Sequence, residues 1–155
     1  MSPHSTPGRI AGIDFGTVRI GIALSDPQRR IASPLESYTR RGPRADARRM
    51  QRLVAEAGVT LFVVGLPVHL DGRESAKSRQ ARQFGRWLAE VTGVPVEFFD
   101  ERFSTSEAEG FLRDAELTKK RRKRRVDMVA AQIMLGAYLE SHAKGQQEPG
   151  PLDDS

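Results

Sequence analysis

Residues Arg9 to Ser25 read RIAGIDFGTVRIGIALS. Arg9 to Asp14 is a short apolar run closed by a carboxylate, and Gly16-Thr17 turns the chain. Arg19 to Ser25 then alternates large with small, setting Ile20, Ile22 and Leu24 against Gly21 and Ala23, the period of two of a strand. Asp26-Pro27 makes a second turn, and Ile31 to Tyr38 reads as a third strand. Its Pro34 cannot donate to a ladder, which places it at a sheet edge. Three strands joined by short turns form an antiparallel meander.

Outward from there, helices and strands alternate. Pro43 suits a first helical position, Met50, Leu53, Val54 and Ala57 follow at helical spacing, and Gly58 ends the helix. Thr60 to Val64 is a continuous apolar run, as in a central strand buried on both faces. Ser75 or Ser78 can cap a second helix with Ala81, Phe84, Leu88 and Val91 on one side and Gly93 beyond its end. Pro95 to Phe99 is a fifth strand, and Ser104-x-x-Glu107 is a capping box for a short third helix. Met128 to Tyr138 is apolar on nearly every side and predicts a buried last helix. Right-handed crossovers set the fourth and fifth strands parallel to the first. The predicted fold is α/β: a five-stranded mixed sheet of order 3-2-1-4-5 with helices on both faces, the ribonuclease H-like arrangement. One domain, 9–142, is expected between disordered tails at 1–8 and 143–155.

The charge is concentrated. Of 155 residues, 25 are Lys or Arg and 20 are Asp or Glu, a net charge of +5. Lys119, Lys120, Arg121, Arg122, Lys123, Arg124 and Arg125 are consecutive. Setting those seven aside leaves 18 cations against 20 anions, so the basic character is one patch. Adjacent like charges repel, and the run reads as an exposed loop that could bind a polyanion through counterion release; a merely solvated run is the plain alternative. Cysteine is absent, which excludes disulfides, thiolate zinc sites and cysteine nucleophiles and suits a reducing compartment. Neither a signal peptide nor a membrane span is legible, and a soluble cytoplasmic protein is expected.

Three carboxylates draw attention. In open α/β sheets, ligands bind beyond the C-terminal ends of parallel strands near a switch in strand order. Asp14 ends the first strand there, and Glu101 follows the fifth. Asp127 begins the predicted last helix, on the face that continues through Ala131, Met134 and Tyr138. Three carboxylates without cysteine suggest a hard cation, Mg²⁺ or Mn²⁺, which activates water and stabilises the attacking and leaving oxygens of a phosphodiester. Each has a plainer reading. Asp127 is a good N-cap, and Glu101 could pair with Arg102 or Arg125. Asp14-Phe15-Gly16-Thr17 makes little sense as an ordinary turn after a buried strand. Asp26 and Asp71-Gly72 suit turns, and His69 sits in a loop without a visible partner. Arg19 and Arg102 could add to a phosphate grip by the basic run.

Four segments together resemble the YqgF/RuvX family of pre-ribosomal-RNA nucleases, also described as Holliday-junction-resolvase-like. They are Gly12-Ile13-Asp14-Phe15-Gly16-Thr17 with Arg19 to Ala23 and Ser25-Asp26; Val64-Gly65-Leu66-Pro67 with Asp71-Gly72; Asp100-Glu101-Arg102-Phe103-Ser104-Thr105 with Glu107-Ala108; and the basic run into Val126-Asp127 with Ala130-Ala131 and Ile133. The resemblance implies a ribonuclease H-like fold and places the family's catalytic carboxylates on Asp14, Glu101 and Asp127. It implies maturation of the 5′ end of 16S ribosomal RNA, with branched junction DNA as the alternative substrate and pre-ribosomal particles as the setting. True junction resolvases carry an acidic residue at the end of the fourth strand, where this chain has Gly65-Leu66-Pro67. Either Glu101 replaces that ligand or the metal set is smaller. Two rival readings stand beside the nuclease. Asp14-x-Gly16-Thr17 also resembles the phosphate loop of sugar kinases and actin-like ATPases, which need two such domains. A non-catalytic RNA- or ribosome-binding module would keep the carboxylates as caps.

Overall fold

A computed structural model of the chain describes residues 8–67, 75–100 and 119–147, with backbone alone for 119–126 and 144–147. Five strands form one sheet: β1 (Arg9–Asp14), β2 (Arg19–Ser25), β3 (Ala32–Thr39), β4 (Val59–Leu66) and β5 (Val96–Asp100). Their order is β3-β2-β1-β4-β5. The β1–β2 and β2–β3 pairs are antiparallel, and the β1–β4 and β4–β5 pairs are parallel. The meander and both crossovers are therefore as predicted. Pro34 does lie on an edge strand, and the β2–β3 register slips between Ile22 and Ala23, where Ile22 faces Glu36 but Ala23 faces Pro34. A ladder that meets a residue without an N–H accommodates it most cheaply at such a bulge.

Alternation along the strands divides the core in two. Ala11 and Ile13 of β1, Ile20 and Ile22 of β2, and Phe62, Val64 and Leu66 of β4 pack beneath α1 (Pro43–Ala57) and α2 (Ala76–Thr92). Ile10, Ala23, Leu61 and Val63 face the other way, against Ala131, Met134, Leu135, Tyr138 and Leu139 of α3 (Lys119–Gln147). Helix punctuation follows the sequence: Pro43 opens α1, Gly58 closes it at φ 68°, and the Ser75 hydroxyl accepts from the Ser78 amide at 3.0 Å. The Asp26 carboxylate accepts from the amides of Arg30 (2.7 Å) and Ile31 (2.8 Å), a turn residue as read.

Among the described residues one charged side chain lies in the core. Asp46 of α1 is fully buried and accepts from the Tyr38 hydroxyl (2.7 Å), the Arg40 guanidinium (3.1 Å) and the Arg41 amide (2.9 Å). Burial opposes its charge, but the three donors outweigh it and hold the carboxyl below its ordinary range. Edge strand and helix are locked together at this point, and nothing in the sequence pattern announced it.

The last helix differs from its prediction. It starts at Lys119, not after the basic run, so Lys119 to Arg125 form its first two turns rather than a loop. Lys and Arg are good helix formers, and a like-charge pair at a helix surface costs only tenths of a kcal/mol, about 0.2–0.5. That is too little to unravel a helix anchored by six buried residues between Ala130 and Leu139. The short helix expected from Ser104 lies outside the described residues, as do His69, Asp71 and Gly72. No helix among the described residues is long and apolar enough to cross a membrane.

Candidate active site

Asp14 closes β1 opposite Gly21 of β2, and Gly21 in turn stands opposite Ser37 of β3. Cross-strand partners project to the same face, so this row runs Ser37, Gly21, Asp14 across the α3 side of the sheet. The helix descends onto the middle of the row. A Cβ on Gly21 would lie 2.0 Å from the Asp127 carbonyl oxygen, and one on Gly12 would lie 2.9 Å from the Leu135 Cβ. Only glycine lets α3 come this near. The small residues of the β2 alternation thus do more than satisfy a strand pattern: Gly21 seats the Asp127 backbone on the strand that pairs with Asp14.

Asp127 is held by named groups. Its Oδ2 accepts from Arg19 Nε at 2.8 Å and from the Ser37 hydroxyl at 3.2 Å. Arg19 precedes Gly21 by two residues and shares its face, which is why it can reach the helix. Asp127 is half-buried, and the Arg19 side chain keeps about the same exposure, 29% against 22%. Both contacts fall on one carboxylate oxygen, so Asp127 is oriented by β2 and β3 through its Oδ2. An N-cap role for Asp127 is excluded, because it lies eight residues inside α3. Its conformation is instead fixed by the helix it belongs to and by the sheet residues it meets.

Asp14 and the Asp127 backbone therefore both neighbour Gly21, one across the strand pair and the other from α3. Glu101 lies outside the described residues. The strand it follows, β5, is separated from β1 by β4 alone. On β5, Phe99 packs with the α3 cluster while Phe98 packs with the α1–α2 cluster. Asp100 follows Phe98 by two and so belongs to the face away from Asp14. The fourth strand ends at Gly65-Leu66 without a carboxylate. Among the described residues no cluster of three acidic or histidine side chains exists that could hold a metal ion. Two carboxylates still match Mg²⁺, which binds through one or two of them together with water and substrate phosphate oxygens. Sequence reasoning missed Ser37, whose place opposite Gly21 depends on the bulge at Pro34. It placed Arg19 with the phosphate-gripping cations and did not see it as the partner of Asp127, although the two-residue step from Gly21 puts both on one face.

The chain is similar to proteins already characterised by name or structure. A sequence model of the RuvX family, described as Holliday junction resolvase, matches residues 8–141. A protein of Rhodopirellula baltica named "Putative pre-16S rRNA nuclease" is 45% identical over 149 residues, covering 96% of this chain and 86% of the relative. One of the same name from Koribacter versatilis is 37% identical over 147 residues, covering 95% and 96%. Among solved structures, Thermus thermophilus RuvC in complex with a Holliday junction substrate superposes with a TM-score of 0.54 at 16% identity, over 88% of this chain and 96% of that one. The yeast mitochondrial Holliday junction resolvase Ydc2 gives 0.52 at 10% identity, over 91% and 81%. These superpositions establish the resolvase-type, ribonuclease H-like fold, and the sequence matches establish the family. The chain belongs to the RuvX family.

Proposed function

We propose that this chain is a metal-dependent endonuclease that cuts structured RNA, at the 5′ end of precursor 16S ribosomal RNA, in the cytoplasm. The observation that carries the reading is that Gly21 stands opposite Asp14 and directly beneath the Asp127 backbone. Asp14 and Asp127 would hold Mg²⁺ or Mn²⁺, with Glu101 as the third ligand from the chain just after β5. Such an ion lowers the pKa of bound water and stabilises the leaving oxygen of a phosphodiester. Arg19 and Ser37 orient Asp127 and keep its carboxylate from rotating away. The names borne by relatives at 37–45% identity support ribosomal RNA as the substrate, and the absence of cysteine accords with a reducing compartment.

Junction DNA is the second reading, favoured by the description attached to the family and by the solved resolvases that share the fold. The test is an incubation of purified protein and Mn²⁺ with a labelled precursor 16S 5′ fragment and, separately, a four-way DNA junction, each with an EDTA control. RNA cleavage abolished by EDTA is expected. Cleavage of the junction alone would move the substrate to DNA, and cleavage of neither, with RNA still bound, would leave a binding module in place of a nuclease.

A further inference from the structure

A groove of about 650 Å³ runs between β3 and α1, and four arginines line it: Arg41, Arg48, Arg49 and Arg52. One acidic side chain, Glu36, lines it as well and is paired with Arg49, whose Nε lies 3.2 Å from Oε1. That pair cancels its own charge. Arg41, Arg48 and Arg52 are exposed, and among the described residues Arg41 and Arg48 have no carboxylate partner. Arg52 has only a surface contact with Glu56 at 3.6 Å, worth little in water. Arg48 and Arg52 are four residues apart on α1, hence one turn and about 6 Å along its axis.

The groove lies on the α1 side of edge strand β3, and the carboxylates lie on its α3 side. Ser37, which lines the groove, is the residue that donates to Asp127 Oδ2. Asp127 in turn follows the seven cations at the start of α3. A strand leaving the carboxylate pair past Ser37 and around the β3 edge would therefore meet the α1 arginines. A polymer with a negative charge at every repeat unit would be held there at several phosphates beyond the bond presented to the metal.

We infer that the β3–α1 groove is a second phosphate-backbone track, in which Arg41, Arg48 and Arg52 grip the nucleic-acid strand on the Ser37 side of the carboxylate pair. The inference rests on the nucleic-acid reading of the site, but it assigns binding to residues outside the basic run. Neutralising three phosphate contacts on a single strand lowers the log–log salt slope of binding by about 2, at roughly 0.7 per contact.

The experiment is an anisotropy titration with labelled single-stranded RNA and, in a second arm, duplex DNA, in EDTA across a series of salt concentrations. It compares wild type with Arg41→Gln/Arg48→Gln/Arg52→Gln and with a charge-matched control, Arg30→Gln/Arg79→Gln/Arg86→Gln, from exposed positions elsewhere. Urea unfolding midpoints check that each variant is folded. A slope about 2 lower for the groove variant, with the control at the wild-type value, is the expected result on RNA; the same loss on DNA alone would assign the track to DNA. Equal slopes for groove variant and wild type, an equal loss in the control, or no binding of either polymer by wild type would overturn the inference. Wild type that binds with the expected slopes yet cuts nothing would defeat the nuclease reading and leave the track standing.

Discussion

Asp14→Asn is expected to slow cleavage of the precursor RNA fragment by at least about 10²-fold, the cost of removing one preorganised group that stabilises charge in a transition state. Asparagine keeps the size of the side chain and one oxygen but removes the charge a divalent cation requires. The fold should survive. The position is fixed by backbone pairing with Gly21 and by the packing of β1 on β2 and β4, none of which uses the carboxylate. RNA binding should survive too, because the proposed binding surface is made of cations of α1 and α3 and not of Asp14. Single-turnover cleavage and anisotropy on the same preparation separate the two effects. Cleavage at the wild-type rate would remove Asp14 from the chemistry, and loss of binding with cleavage would make it a structural residue.

Gly21→Ala is expected to be as damaging to cleavage, from a residue that bears no functional group. Its new Cβ would fall 2.0 Å from the Asp127 carbonyl oxygen and 3.2 Å from the Asp127 Cα. Those atoms are backbone, so no rotamer relieves the contact, and α3 must lift from the sheet at Asp127. Overpacking of this kind costs about 1–3 kcal/mol of stability. A displacement near 1 Å at a catalytic group costs about 10²-fold in rate. The pattern to look for is a modest drop in the urea midpoint beside a large drop in turnover. A variant with a lowered midpoint and full activity would show that the closeness of α3 at Gly21 serves packing alone.

Much of this was legible in the sequence, for identifiable reasons. Strand order followed from the alternation in Arg19–Ser25, the apolar run of β4 and the handedness of crossovers. Pro34 marked the edge because a missing N–H has few places to go. Asp14 stood out because a carboxylate closing a buried strand needs an explanation. What was not legible depended on register or on competition between small terms. Ser37 meets Asp127 only because the β2–β3 ladder slips by one residue at Pro34. The basic run forms helix because propensity and downstream packing outweigh weak, screened repulsion. Asp46 was hidden in a polar helix segment, and its burial depends on Tyr38 and Arg40 arriving from β3 and the residue after it. Arg48 and Arg52 are four residues apart in the sequence, yet that they line one groove with Arg41 appears only once β3 lies alongside them.

The central claim is that Asp14 and Asp127 together hold one divalent cation, and calorimetric titration of Mn²⁺ tests it most directly. Wild type, Asp14→Asn and Asp127→Asn would be titrated side by side, in the presence of a short phosphorothioate RNA that supplies the remaining oxygen ligands. The account predicts one binding event in wild type that is lost in either single variant, because each removes one charged ligand of the same site. Mn²⁺ binding of wild-type strength in both variants would contradict it.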